Sequence, residues 1–214
     1  MDYFDDVVIG SGLAALGAVM GLAGRRRILV LSGAAVGAFS HYDAKKAVPC
    51  AFSGAGGLGG YWHGVIPVSG HQVGDTASTQ VFAELFKRFY PRADIDQWLG
   101  KPALFVPWKP IRPAAALAQL ATQREGRLSI VAAMAERIDA DGPKLRITSS
   151  AGEHHATRVW VAAGAVHTPD LLARSFGEQM RRGHIADHVL CYVGQIDHAK
   201  APHTHRTSDG VYFP

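Results

Sequence analysis

Phe4-Asp5-Asp6-Val7-Val8-Ile9-Gly10-Ser11-Gly12-Leu13-Ala14-Ala15 is the stretch that decides the fold. Residues 4–9 are short and apolar and run into a glycine, which predicts a buried strand. Residues 13–22 are rich in Ala and Leu, which predicts a helix, and Gly24 ends it. The basic run Arg25-Arg26-Arg27 makes a turn, and residues 28–31 read as a second buried strand. Strand, helix and strand fit within about 30 residues, the size of a parallel crossover unit. Gly10-x-Gly12-x-x-Ala15 lies where the first strand meets the helix. Gly10 permits a tight turn, Gly12 lets a pyrophosphate approach the backbone, and Ala15 allows close helix–strand packing. The helix N-terminus adds N–H groups and a favourable dipole for phosphate. At this position the motif points to dinucleotide binding; the alternative is a glycine turn without a ligand. The second strand should end in an acidic residue that grips the ribose, but it ends in Ser32-Gly33. Ser32 offers only a neutral hydrogen bond there. No Arg follows it closely, which disfavours a ribose 2′-phosphate.

Outward from this unit, residues 33–70 are Gly-rich and irregular, centred on Gly54-Ala55-Gly56-Gly57-Leu58-Gly59-Gly60. Ordering such a segment costs entropy, and a ligand is one source of compensation. A plain linker is the alternative, although Tyr61-Trp62-His63 adds apolar mass that linkers rarely carry. Residues 78–123 read as helical and peripheral, with Pro102, Pro107, Pro110 and Pro113 breaking the later part; Pro113 opens a helix to about Ala121. Strands are expected over 128–131, 135–139, 144–148 and 155–162, with a turn at Asp141-Gly142-Pro143. Thr168 and Pro169 then read as the cap and first residue of a helix. The order predicts an α/β fold: a Rossmann-like parallel sheet with an inserted antiparallel β-meander and a peripheral helical segment.

Composition excludes several classes. With 214 residues the chain is long enough for one domain with a sizeable core and the start of a second. An apolar fraction of 48% argues against disorder. Two cysteines, Cys50 and Cys191, make no disulfide framework, and they are most simply apolar filler in a reducing, cytoplasmic setting. The acidic start lacks a signal-peptide n-region, and residues 13–23 are too short to span a bilayer, so no transmembrane segment is expected. The net charge of +4 comes from short clusters read as solvated turns, so no nucleic acid is expected as partner. The spacing of His154, His155, His184, His198, His203 and His205 fits no zinc template, so no metal is expected.

Three segments in order carry a resemblance to a known family. They are Gly10-Ser11-Gly12-Leu13-Ala14-Ala15, Gly56-Gly57-Leu58-Gly59-Gly60-Tyr61-Trp62 and Ala162-Ala163-Gly164-Ala165-Val166-His167-Thr168-Pro169-Asp170-Leu171-Leu172. Asp187-His188 follows them. The set resembles the FAD-binding half of the glucose–methanol–choline oxidoreductases and their pyranose-oxidase-like relatives. The resemblance implies FAD as cofactor, with Gly10 and Gly12 at the pyrophosphate and Ser32 near the ribose. It implies that Gly56 and Gly57 lie along the cofactor, Tyr61 and Trp62 near the isoalloxazine, the Ala135 backbone at the adenine, and Gly164 and Ala165 near the cofactor again. Some relatives carry a flavin-linking His where Tyr61 stands, so no histidyl–flavin bond is expected. His63 reads as a polar contact or a surface residue, and Asp187-His188 as structural.

The implied reaction is oxidation of an alcohol or sugar hydroxyl by hydride transfer to flavin N5. The resemblance implies a FAD-binding domain over 1–188, with a helical insertion at 70–125, and the start of a substrate-binding domain over 189–214, whose first strand is 189–196. The family's catalytic base has no counterpart among these segments, so no catalytic residue is assigned. A second polypeptide supplying the C-terminal half is expected. A truncated, inactive flavin-binding or protein-interaction module is the alternative.

Overall fold

The computed structural model describes residues 3–22, 24, 26–40, 51–62, 64–68, 76–181 and 204–213. Cys50, His63, Asp187, His188, Cys191, His184, His198, His203 and the expected strand over 189–196 lie outside the described residues. The chain divides into two compact units: 1–61 with 112–187, and 62–111 with 188–214.

In the first unit, β1 (Tyr3–Ile9), β2 (Ile28–Leu31), β7 (Leu128–Val131) and β10 (Gly152–Val161) form the parallel part of a sheet. β8 (Ala135–Asp141) and β9 (Lys144–Ser149) extend it antiparallel, giving the order β7-β2-β1-β10-β9-β8. The fold is therefore α/β, a parallel sheet carrying an antiparallel meander, as the sequence predicts. All four residues of β2 are buried, which is why it reads as an unbroken apolar run. Leu29 and Leu31 join Val7, Ile9, Ile138, Ile147 and Leu171 in one core. α1 (Leu13–Gly21) buries Ala15, Leu16, Val19 and Met20. Its C-terminal carbonyls at Val19 and Leu22 each accept a bond of 3.1 Å from the Arg124 guanidinium, just past α3 (Pro113–Gln123).

Three local expectations change. The segment 33–60 contains a two-strand ribbon, β3 (Phe39–Ser40) and β4 (Ala51–Phe52), and a 3-10 turn at Gly57–Gly60. α4 (Gly164–Phe176) starts four residues before the expected cap, and Pro169 lies inside it. Gly164 makes the strand-to-helix turn itself at φ +82°, leaving no spacer for Thr168 to cap. Arg26, read as a solvated turn residue, is ion-paired to the wholly buried Asp6, as is Arg158.

The second unit contains β5 (Ile66–Pro67), α2 (Thr76–Phe89), β6 (Leu104–Pro107), β11 (His205–Arg206) and β12 (Gly210–Phe213). Its sheet order is β11-β12-β6-β5, over a core that includes Phe86, Tyr90, Phe105 and Tyr212. The Pro-interrupted stretch thus holds a strand, and the segment expected as one helical insertion over 70–125 is shared between the two units at 111/112. β6 pairs with a segment at 210–213, too distant in sequence for any local pattern to announce. Burial pushes the Tyr212 phenol well above its ordinary range.

Candidate functional site

Parallel strands β1 and β10 are neighbours in register, with Ile9 opposite Val161. They therefore end side by side, and each runs at once into a helix. At this edge of the first unit lies a cavity of about 680 Å³. Crevices beyond the carboxyl ends of parallel strands are where α/β sheets take ligands. Its walls are three glycine segments, at 10–12, at 54 with 57–59, and at 164, joined by Ser32, Gly33 and residues 133–135.

Both helix starts on this edge lack a side-chain cap and an acidic residue in the first turn. In α1 the first internal bond runs from Leu16 N–H to Gly12 O at 3.0 Å. The N–H groups of the preceding turn have no helical acceptor. Leu13 and Ala14 of α1, and Gly164 and Ala165 of α4, line the cavity. Two positive dipole ends thus open on one space, an arrangement that favours an anionic ligand.

The expected site residues separate into three groups. Gly10, Gly12, Ser32, Gly57, Ala135, Gly164 and Ala165 line the cavity. Ala15 is fully buried, and the Gly56 N–H donates to Ser11 Oγ at 2.8 Å. Tyr61 is not among the lining residues; it is 56% exposed and packs edge-on against Phe39 and Phe52 at 5.0 and 5.2 Å between centroids. Trp62 belongs to the second unit, where its indole N–H donates to Ile111 O at 2.9 Å.

Ser32 Oγ donates to Val131 O at 3.2 Å, so its proton is committed and its lone pairs remain to accept from a ribose hydroxyl. An acidic residue at this position would accept in the same sense, more strongly.

Three residues of the site escape sequence reasoning. His167, Asp170 and Arg174 stand at helical spacing on the face of α4 that lines the cavity. His167 Nε2 is buried without a protein partner. Arg174 Nε donates to Glu136 O at 2.9 Å, which holds it beside Ala135. Only the helix starting at Gly164 brings all three to one face. Among the described residues, no cluster of three His, Cys, Asp or Glu side chains is placed to hold a metal ion. No helix among them is long and apolar enough to cross a membrane.

No protein-family model and no curated protein matches the chain. Solved structures give faint likenesses. NikD, described as an unusual amino acid oxidase essential for nikkomycin biosynthesis, is 16% identical in its open form, with 80% of this chain and 54% of that one covered at a TM-score of 0.46. Glycine oxidase from Geobacillus kaustophilus is 11% identical, with 81% and 58% covered at a TM-score of 0.48. A flavin-containing monooxygenase from Stenotrophomonas maltophilia is 20% identical, with 76% and 39% covered at a TM-score of 0.36. The chain spans little more than half the length of the first two. Likeness at this level carries nothing about activity, and the site's own geometry has to.

Proposed function

We propose that the first unit binds FAD and is the cofactor-holding part of a flavin-dependent oxidoreductase acting on an alcohol or sugar hydroxyl. The observation that carries the FAD reading is the pair of uncapped helix starts opening on one glycine-walled cavity. A dinucleotide brings two linked phosphates to such a place, and a cavity of about 680 Å³ lies within the range of roughly 300–1,000 Å³ used by cofactors. Gly10–Gly12 and the first turn of α1 would hold the diphosphate. Ser32 would accept from the ribose, and the backbone at Ala135 would meet the adenine. His167 Nε2, which lacks a protein partner, would gain one from the ligand. Bound FAD supplies the hydride acceptor, while the chain orients it and excludes water around it.

The hydroxyl substrate is supported by the order of the glycine segments, which is that of the glucose–methanol–choline oxidoreductases. The substrate-facing base would come from further residues of the same protein or from a second polypeptide.

Adding FAD at about a hundred times its Kd should stabilise the fold by about 2.7 kcal/mol, or about 5–10 °C in melting temperature for a chain of this size. ADP should give a smaller rise and FMN none, since the adenosine diphosphate half makes the contacts named above. An unchanged melting temperature with FAD overturns the reading. The substrate class is tested anaerobically with the completed protein, whose flavin absorbance should bleach on adding an alcohol or sugar.

A further inference from the structure

Ser11 sits between the two glycines of the first turn and is 4% exposed. Its hydroxyl donates to Ser32 O at 2.8 Å and accepts from the Gly56 N–H at 2.8 Å. One side chain thus joins the β1–α1 turn, the end of β2 and the glycine wall. Gly56 is left-handed at φ +85° and leads into the 3-10 turn at Gly57–Gly60. The far end of that turn is also tied, by Arg112 Nη1 donating to Gly60 O at 2.8 Å. At the near end, the Ala34 N–H donates to Ser53 O at 2.7 Å. Protein atoms therefore hold a segment whose glycines would otherwise be costly to order.

We propose that Ser11 is a positioning residue: its hydroxyl fixes Gly56, and with it the wall at 57–59, in the ligand-ready place before any ligand arrives. The affinity consequence rests on the FAD reading, whereas the ordering of the wall does not. A hydroxyl has one proton and room to accept, and both are used here. Alanine at 11 leaves the Gly56 N–H and the Ser32 carbonyl without this partner, and nothing else at that position replaces it. The wall then samples open positions, and a ligand must supply the ordering itself.

Hydrogen exchange at the Gly56 amide, measured without ligand, is the direct test. In the wild type this amide should be protected, and Ser11→Ala should speed its exchange about tenfold. FAD affinity should fall about tenfold in the same variant, and ADP affinity with it, because the wall stands against the diphosphate turn: Gly56 O lies 3.6 Å from where a Cβ of residue 12 would be, and Gly59 packs on Leu13. A Gly56 amide that exchanges freely in the ligand-free wild type overturns the proposal, and this holds even where Ser11→Ala does not fold. So does unchanged affinity for both, or exchange that speeds equally at the Val8 amide within β1, which would reduce Ser11 to a merely structural part. If the wild type binds neither nucleotide, the FAD reading falls, and the exchange result still decides whether Ser11 holds the wall.

Discussion

Gly10→Ala is expected to destabilise the fold of the first unit strongly, a larger effect than the loss of a ligand contact alone. A Cβ at this position would lie 2.2 Å from the carbonyl oxygen of Ala162 and 2.7 Å from its carbon. Real Cβ atoms do not approach backbone so closely, so β1 and β10 would have to separate at their ends. The backbone there is also at φ +111°, which an L side chain adopts only under strain of about 1–3 kcal/mol. Strain and overlap act together, and the sum is about 4 kcal/mol or more, among the largest effects of single substitutions. For a chain of this size that is a fall of about 8–16 °C in melting temperature, checked by circular dichroism. Gly12→Ala is the contrast. Residue 12 has φ −76°, and its Cβ would meet nothing closer than Gly56 O at 3.6 Å. That variant should melt near the wild type and lose nucleotide affinity, since the methyl group enters the space a phosphate would use. A Gly10→Ala protein that melts within about 2 °C of the wild type would show that the two strand ends are free to move apart.

These two glycines show what a sequence pattern carries. The spacing at 10, 12 and 15 announces a strand-to-helix turn with room for phosphate, because each position has a local steric requirement. It does not announce that Gly10 is required by Ala162, the residue just past the end of β10 and 152 positions later, which comes near only once the sheet exists. The apolar run at 28–31 is equally legible, since a strand buried on both faces needs continuous apolar residues. Ser11 is illegible for the opposite reason. Its partners at 32 and 56 are fixed by tertiary approach, and a serine between glycines has no signature of its own. The placement of Tyr61-Trp62 is illegible for a related reason: the boundary between the two units falls between the residues, and each finds partners within its own unit. Pro169 misleads because a proline inside a helix reads as a proline at its start.

Asp6 should be the second most sensitive position, and its effect should depend on pH. It lies mid-strand in β1, opposite Ile28 of β2 and Arg158 of β10, with no exposed surface. Its carboxylate accepts from Arg158 Nε at 2.9 Å, Trp160 Nε1 at 2.9 Å and Arg26 Nε. One buried charge therefore ties the entry of β2 to the neighbouring strand on the other side. Removing one partner of a buried pair costs about 3–5 kcal/mol. Asp6→Ala should fall near the lower figure, because Arg26 and Arg158 are 34% and 46% exposed and water takes up part of their charge. Burial pushes the Asp6 carboxyl up, and the bonds from Trp160, Arg26 and Arg158 together outweigh it, leaving the group below its ordinary value. The folded state thus binds this proton less readily than the unfolded chain does. The stabilisation is complete above the unfolded carboxyl value of about 3.9 and is lost as pH falls through the lower folded value. Asp6→Asn has no proton to take up at this position. Its stability deficit against the wild type should be largest near neutral pH and should shrink steadily below about pH 4, as read by urea unfolding at each pH. A deficit that stays constant down to the acid limit would mean that the partners hold a neutral Asp6 as well as a charged one, and would overturn this prediction.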